Sequence, residues 1–201
     1  MLIKRANIEG TGIKDILVRN GRIAKIADSI DNIQDEKVIN ANGFILIPGI
    51  IDPHVHARDL DLSHKEDFYT VSCAAAAGGM TSFLDMPNSN PPTITVKDLA
   101  LKRNAAKKSI VNYGFYFGAS VGNIKEMAKA DNIAAVKLYM GSTTGDLLVE
   151  DESYIDSILE YVPIVCVHAE DETVIRKYTE EWLKKNMPEV HSMIRPNSAA
   201  E

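Results

Sequence analysis

The chain has 201 residues, of which 45% are hydrophobic, and its 28 acidic and 22 basic side chains give a net charge of −6. This composition suits a domain with a substantial core. It argues against a nucleic-acid partner, because no basic tract is present, and against a membrane protein, because no apolar run approaches the ~20 residues that span a bilayer. Cys73 and Cys166 lie in apolar segments, which indicates free thiols and a cytoplasmic location.

Residues 1–47 predict a small β-sheet domain. The sequence "ILVRNGRIAKIAD" places two strand-like runs on either side of Asn20-Gly21, a strong signal for a hairpin turn. A second strand-like segment, "NANGFILIPG", ends at Pro48-Gly49. We therefore expect a domain boundary between residues 47 and 48.

From residue 48 to residue 201 the sequence alternates between strand-like and helix-like segments. The predicted strands are 49–55, 80–85, 111–118, 134–140 and 162–168, and the predicted helices are 65–78, 95–108, 122–130, 150–160 and 170–186. This order predicts a parallel sheet covered by helices, as in doubly wound and barrel folds. The first strand lacks a glycine-rich phosphate loop, which disfavours a dinucleotide fold. A full (β/α)8 barrel takes about 250 residues, so five units predict a partial TIM barrel.

Two histidines end the first of these strands, in the stretch "IDPHVHARD" (51–59). His54 and His56 point the same way from an extended strand, because side chains alternate faces with a period of two. Two imidazoles on one face suit a zinc ion. The alternative is a chance pair on a wet surface, but the pair ends a hydrophobic strand, where unpaired polar groups are costly. This context favours a metal site.

Lys137 lies inside the strand-like run "AAVKLYMG" (134–141). A lysine in a core strand must be neutral, pair with an anion or be modified. One interpretation is a side chain that extends to solvent from the strand end. The other is a neutral amine that takes up carbon dioxide, giving a carbamate whose two oxygens bridge cations ~3.5–4 Å apart.

His168 ends the fifth predicted strand and is followed by Glu170 and Asp171, which suit orientation of the histidine or capping of the next helix. In a βα barrel the carboxyl ends of all strands open onto one face, where active sites lie. The sequence therefore predicts that the His54/His56 pair, Lys137 and His168 converge there.

The loop "LDMPNSNPP" (84–92) follows the second strand and belongs to the same predicted face. Asn88 can donate amide hydrogen bonds to a substrate, and Arg58 can bind a carboxylate through two hydrogen bonds. For Asn88 the alternative is a turn in which it bonds its own backbone. Asp85, at the strand end, is a further candidate.

Four stretches together resemble the dihydroorotases of the amidohydrolase superfamily: "GIIDPHVHARD", "HKEDFYTVSCAAAAGGMTSFLDMPNSNPP", "AVKLYMGSTTG" and "VHAEDE". They occur in the expected order from about residue 45 onward. The His-x-His motif is shared by the whole superfamily, whereas its combination with Arg-Asp and with Met-Pro-Asn-x-Asn-Pro is more specific.

This resemblance implies a cytoplasmic zinc enzyme of pyrimidine biosynthesis that interconverts N-carbamoyl-L-aspartate and L-dihydroorotate. It implies that His54 and His56 bind one zinc ion, that His168 binds a second, and that carboxylated Lys137 bridges the two. No nucleic acid or membrane is implied as a partner.

For the substrate, the resemblance implies that Arg58 and Asn88 hold a carboxylate group. Thr143 falls in a segment that forms a loop over the substrate in some relatives. Residues 1–47 would form part of a small β-sandwich, which family members complete with strands from the far carboxyl terminus.

The family pattern also includes a histidine ligand on the sixth strand and an aspartate on the eighth, which binds metal and acts as general base. The chain ends at Glu201, so we expect a fragment of a longer enzyme that is inactive alone and binds zinc weakly. Exposed strand edges and apolar helix faces predict self-association or a homo-oligomer.

Two alternatives remain at this stage. A hydantoinase or allantoinase would share the metal ligands, although Arg58 together with Asn88 favours a substrate that carries a carboxylate. A non-catalytic scaffold protein related to dihydroorotase is the second alternative. Such proteins often lose metal ligands, whereas the first four are present here.

Overall fold

The computed structural model describes residues 1–31, 33–143, 146–185 and 190–200. The chain divides into two compact units, Met1–Gly49 and Ile50–Glu201. Within the described ranges, no helix has both the length and the apolar character needed to cross a membrane.

The first unit is a five-stranded mixed sheet. Its strands are β1 (Leu2–Ile8), β2 (Gly12–Arg19), β3 (Arg22–Ala27), β4 (Val38–Asn40) and β5 (Ile45–Leu46). The order is β3-β2-β1-β4, and β5 also pairs with β1. Asn20 and Gly21, between β2 and β3, have φ angles of 50° and 70°. Both values are positive, as the tight turn of a two-residue hairpin requires.

A small core and one buried carboxylate hold this unit together. Leu2, Leu17 and Ile30 form the apolar cluster. Asp15 accepts hydrogen bonds from the backbone N–H groups of Arg5 and Ile30, at 2.8 and 2.9 Å. Its carboxylate also lies 2.6 Å from the Lys4 ammonium, so this buried acid is fully satisfied.

The second unit alternates strands and helices. Its strands are β6 (Ile50–Val55), β7 (Met80–Asp85), β8 (Asn112–Gly118), β9 (Ala135–Tyr139) and β10 (Val165–His168). Its helices are α1 (Phe68–Ala77), α2 (Val96–Ala106), α3 (Ile124–Met127), α4 (Glu152–Tyr161), α5 (Glu172–Trp182) and α6 (Val190–Ile194). Short 3₁₀ turns occur at Leu60–Leu62, Leu183–Lys185 and Asn197–Ala199.

The strand order distinguishes the two folds that the sequence left open. Each strand from β6 to β10 pairs in parallel with the next one along the chain, so the order is β10-β9-β8-β7-β6. A doubly wound sheet reverses its order partway, whereas a TIM barrel does not. The prediction of a partial (β/α)8 barrel with five βα units and a separate amino-terminal β domain is confirmed.

Side-chain caps begin the four longer helices that follow these strands. Asp67, Thr95, Asp151 and Asp171 each accept a hydrogen bond from a backbone N–H group in the first turn of α1, α2, α4 and α5. Such caps satisfy N–H groups that have no partner within the helix. They fix where each helix starts and therefore the length of each loop at the carboxyl ends of the strands.

Aromatic packing joins α1 to the sheet. Phe68 of α1 is fully buried, and its ring centroid lies 6.3 Å from that of Phe83 and 6.1 Å from that of Phe115. These distances are within the range of favourable ring pairs. The cluster anchors the first helix against β7 and β8 and leaves the carboxyl ends of the strands for polar side chains.

Candidate active site

The residues that the sequence singled out lie at one rim of the parallel sheet. His54 is near the end of β6 and His56 directly follows it, Lys137 is in β9, and His168 is the last residue of β10. Asn88 follows the end of β7. Because all five strands run in parallel, these positions share the carboxyl-terminal rim, which is the active-site face of a barrel.

The two histidines of the first barrel strand lie close together, and His54 also interacts with Lys137. The ring centroids of His54 and His56 are 5.3 Å apart. Burial lowers the pKa of His54, and the positive charges of Lys137 and His168 lower it further. Two strands separate β6 from β9 in the sheet, so this interaction reflects the curvature of the sheet. A lowered pKa favours the neutral imidazole, which is the form that binds metal.

Asn88 orients His56. Its Oδ1 lies 2.6 Å from Nδ1 of His56, and its Nδ2 donates a hydrogen bond of 3.2 Å to Oγ1 of Thr143. With Nδ1 as the donor, Nε2 of His56 keeps its lone pair, which is the arrangement of a metal-binding histidine held by an outer partner. Burial lowers the pKa of His56, while the hydrogen bond to Asn88 opposes this effect.

Lys137 is buried, with 3% of its surface exposed. Its Nζ lies 5.0 Å from the centroid of the Tyr139 ring, and no carboxylate of the described residues pairs with it. Burial lowers the pKa of Lys137, and the neighbouring thiol of Cys166 has a smaller, opposite effect. The interpretation of this lysine as one that extends to solvent is therefore wrong, because its strand is covered on both faces.

A polar chain surrounds His168. Its Nε2 lies 2.5 Å from Oε2 of Glu170, which leaves Nδ1 for another partner. Arg195 forms an ion pair with Glu170 and donates a 2.7 Å hydrogen bond to the carbonyl oxygen of Ser142. The structure thus gives Glu170 the orienting position, while Asp171 caps α5.

Arg58 follows the end of β6 at the same rim, two residues beyond His56. Its positive charge lowers the pKa of His56 and opposes the rise in the pKa of Tyr139. Burial is the main cause of both shifts. Across the part of the chain that the structure describes, no carboxylate pairs with Arg58. This guanidinium is therefore free to bind an anion.

The donors at this rim are three histidines and a lysine. Among residues 1–31, 33–143, 146–185 and 190–200, no cluster of three or more His, Cys, Asp or Glu side chains is arranged to hold a metal. The predicted ligand set differs from such a cluster, because one of its members is a lysine that becomes a ligand only after carboxylation. A buried amine that has no anionic partner among the described residues, and that interacts with His54, fits that modification. The hydroxyl group of Tyr139, also buried, has no hydrogen-bond partner among the described residues.

The sequence did not reveal the partners of two buried charged side chains, Lys102 and Glu172. Lys102 of α2 lies 2.7 Å from the carboxylate of Asp85, and both side chains are at most 2% exposed. Glu172 accepts hydrogen bonds from the backbone N–H and the hydroxyl group of Ser142, at 2.7 and 2.5 Å. The burial of Lys102 could have been predicted from its position. Lys102 follows Leu99 by three residues, which places a cation on the buried face of the helix, where it requires an anion.

An apolar cavity of about 450 Å³ lies at the opposite ends of the strands. It is lined by residues that include Ala135, Pro163 and Ile164. None of the predicted site residues borders it. This cavity is therefore separate from the predicted site.

Comparison with known proteins identifies the family. Residues 45–194 match the model of the amidohydrolase family. The chain belongs to the amidohydrolase family. Amidohydrolase relatives include the dihydroorotase of Methanosarcina acetivorans, which is 35% identical over 192 residues that cover 92% of this chain and 41% of that protein. The L-hydantoinase of Paenarthrobacter aurescens is 32% identical over 177 residues, covering 84% of this chain and 39% of that protein.

A solved amidohydrolase structure is similar throughout. The L-hydantoinase from Arthrobacter aurescens superposes with a TM-score of 0.84 at 26% sequence identity, covering 99% of this chain and 47% of the other. The chain thus spans about two fifths of the length of the curated relatives it matches. Its similarity to cyclic amide hydrolases extends over both compact units.

Proposed function

We propose that this chain is part of a dihydroorotase, a zinc-dependent enzyme of pyrimidine biosynthesis that interconverts N-carbamoyl-L-aspartate and L-dihydroorotate. The observation that carries the proposal is the guanidinium of Arg58, which lies near His56 with no carboxylate partner among the described residues. A free guanidinium suits a substrate with a carboxylate group. Dihydroorotate has such a group, whereas hydantoin does not.

His54, His56 and His168 would supply imidazole nitrogens to zinc, and Lys137 would supply two carbamate oxygens. To form the carbamate, the neutral amine bonds to the carbon of carbon dioxide and releases one proton, so that a neutral group becomes an anion. Bound zinc would provide an activated water at neutral pH and would polarise the ring carbonyl. The buried, unpaired amine of Lys137 supports this assignment.

The other side chains of the rim would orient the substrate. Arg58 would bind the carboxylate through two parallel hydrogen bonds. The amide nitrogen of Asn88 carries two hydrogens, and one is donated to Thr143. The second would be available to the substrate, while Oδ1 of Asn88 holds His56 in place. Asn88 would thus connect the substrate and metal subsites.

The family resemblance implies that the general base would be an aspartate of the eighth strand and that a further histidine ligand would come from the sixth. The five strands described here would then lack both groups. We therefore propose that residues 1–201 alone do not turn over dihydroorotate. A hydrolysis assay of the purified chain tests this point, and robust turnover would refute it.

The choice of substrate is tested by calorimetric titration of the zinc-loaded protein with L-dihydroorotate and with hydantoin. We expect dihydroorotate to bind more tightly, and Arg58→Ala to weaken its binding at least about tenfold, because a charge-assisted pair is lost. Arg22→Ala, which changes an exposed arginine of the first unit, is the control and should have no effect. Equal binding of both compounds without an effect of Arg58→Ala would contradict the proposal.

The second candidate is a hydantoinase, and similarity to the L-hydantoinases favours it. It predicts the reverse preference in the same titration. A non-catalytic scaffold is the third candidate. It predicts no zinc binding when the purified protein is titrated with zinc, whereas a cyclic amide hydrolase predicts zinc binding, weak in this chain alone, that is lost when His54 or His56 is replaced.

A further inference from the structure

The peptide between His56 and Arg58 is held by a buried carboxylate. The backbone N–H of Ala57 donates a 2.8 Å hydrogen bond to Oδ1 of Asp85, at the end of β7. Oδ2 of the same carboxylate lies 2.7 Å from the ammonium of Lys102. That ammonium also donates a 2.6 Å hydrogen bond to the carbonyl oxygen of Met86. The two strand ends and α2 therefore meet at one ion pair.

The backbone after this point needs external support. Arg58, Asp59 and Leu60 have φ angles of 60°, 43° and 50°. Three consecutive residues with side chains in the left-handed region are disfavoured by steric contacts and persist only when their surroundings fix them. Within this stretch, the carboxylate of Asp59 supports the backbone by accepting hydrogen bonds from the N–H groups of Leu60 and Phe68. Before it, the carboxylate of Asp85 holds the N–H of Ala57.

The ion pair is not required merely to fill the core. Replacing a buried ion pair by apolar side chains of similar volume is often neutral for stability. What an apolar pair does not provide is an acceptor for the N–H of Ala57. Lys102 in turn contacts the second oxygen of this carboxylate, at 2.7 Å, and so holds its orientation.

We propose that the Asp85–Lys102 ion pair is a positioning device that fixes the Ala57 peptide and so sets the affinity of the rim for zinc and for a carboxylate-bearing substrate. The proposal rests on the proposed function for the identity of these ligands. Asp85 and Lys102 are positioning residues, because they act through the backbone that carries His56 and Arg58.

Two double variants separate positioning from folding. Asp85→Asn with Lys102→Met removes both charges and keeps an oxygen acceptor for Ala57. Asp85→Leu with Lys102→Met removes both charges and the acceptor while preserving the volume. The single variant Lys102→Met leaves a buried carboxylate without a partner and is expected to fold poorly, so the comparison rests on the double variants.

The experiment measures the zinc dissociation constant by titration and the hydrogen exchange of the Ala57 amide by NMR. We expect the leucine-containing pair to lose about tenfold in zinc affinity, as is typical when an outer partner of a metal site is removed, and to exchange the Ala57 amide faster. The asparagine-containing double variant should retain most of the zinc affinity and most of the protection of the Ala57 amide from exchange. As a control, Asp15→Asn with Lys4→Met changes a buried ion pair of the first unit and should leave zinc affinity unchanged.

Equal zinc affinity and equal Ala57 exchange in the two double variants would overturn the inference. If the unmodified protein binds neither zinc nor dihydroorotate, the proposed function fails. The exchange of the Ala57 amide still decides the positioning role in that case. Faster exchange without the acceptor supports the role, and unchanged exchange contradicts it.

Discussion

The burial of Lys137 restricts the chemistry available at the scale of single residues. An ammonium with no anionic partner is costly to bury, so burial lowers the pKa of this lysine and favours its neutral amine. Only the neutral form reacts with carbon dioxide. A carbamate in turn needs cations beside it, which neutral histidines can hold. The burial of Lys137 is therefore consistent with the carboxylation and metal binding that we propose for it.

The first prediction concerns Lys137 itself. Lys137→Ala should reduce zinc affinity by at least about tenfold, because the bridging oxygens are lost. Calorimetric titration with zinc in bicarbonate buffer measures the effect. Lys129→Ala, which changes an exposed lysine on the same unit, is the matched control. Equal affinity of the two variants would show that Lys137 does not contribute to the metal site.

The second prediction concerns acid stability and Asp15. The Lys4 ammonium and the backbone N–H groups of Arg5 and Ile30 lower the pKa of Asp15 from 3.8 to about 2, against the effect of burial. Because the pKa is lower in the folded state, the stabilisation is present above pH 4 and is lost as the pH falls toward 2. The shift corresponds to about 2 kcal/mol.

Urea unfolding at a series of pH values measures this effect. Asp15→Asn should lower the free energy of unfolding by about 2 kcal/mol at pH 7, and the difference from the unmodified chain should shrink toward pH 2. Asp28→Asn is the control, since that carboxylate is 89% exposed and pairs with Lys14 at the surface. It should change stability by less than about 1 kcal/mol. A difference for Asp15→Asn that is independent of pH would contradict the assignment.

Residues that end strands were predictable from sequence, and residues that act from helices were not. His54, His56 and His168 stand out because each ends an apolar run, where the period of two fixes its direction. Lys102 reaches Asp85 only through the tertiary packing of α2 on β7. Sequence periodicity shows that such a cation is buried, but it does not identify the anion that receives it.

At the scale of secondary structure, helix caps and glycine turns made the order of elements predictable. Predicted strands 80–85 and 111–118 correspond to Met80–Asp85 and Asn112–Gly118. The predicted helix 122–130 is only Ile124–Met127. Beyond Met127, Lys129 donates to the carbonyl oxygen three residues earlier, and Ala130 shares its N–H between the carbonyl oxygens three and four residues earlier, so the chain tightens into a turn. Local propensity does not distinguish that turn from another turn of α-helix.

The third prediction concerns the packing of α1. Phe68→Ala should lower the free energy of unfolding by about 3–5 kcal/mol, because a fully buried ring is removed from the contacts with Phe83 and Phe115. Urea denaturation followed by circular dichroism measures the loss. Tyr69→Ala, at the next position of the helix, changes a side chain that is 52% exposed. It should cost less than about 1 kcal/mol, and equal losses would show that the aromatic cluster does not anchor the helix.

At the scale of the whole molecule, exposed apolar side chains favour association. Phe44 and Ile45 of the first unit are 70% and 68% exposed, and Ile51 of the second is 60% exposed. We predict that the 201-residue chain self-associates. Sedimentation velocity over a range of concentrations should show a rising average mass, and Phe44→Gln should weaken the effect. A monomer at every concentration would contradict this prediction.

The central claim is that residues from three strands gather around zinc at one rim of the curved sheet. A crystal structure of the zinc-loaded protein, with anomalous diffraction at the zinc edge, tests it most directly. We predict zinc about 2.0–2.1 Å from nitrogens of His54, His56 and His168, with a carboxyl group on Nζ of Lys137. Zinc bound elsewhere, with an unmodified Lys137 directed away from the three histidines, would contradict the account.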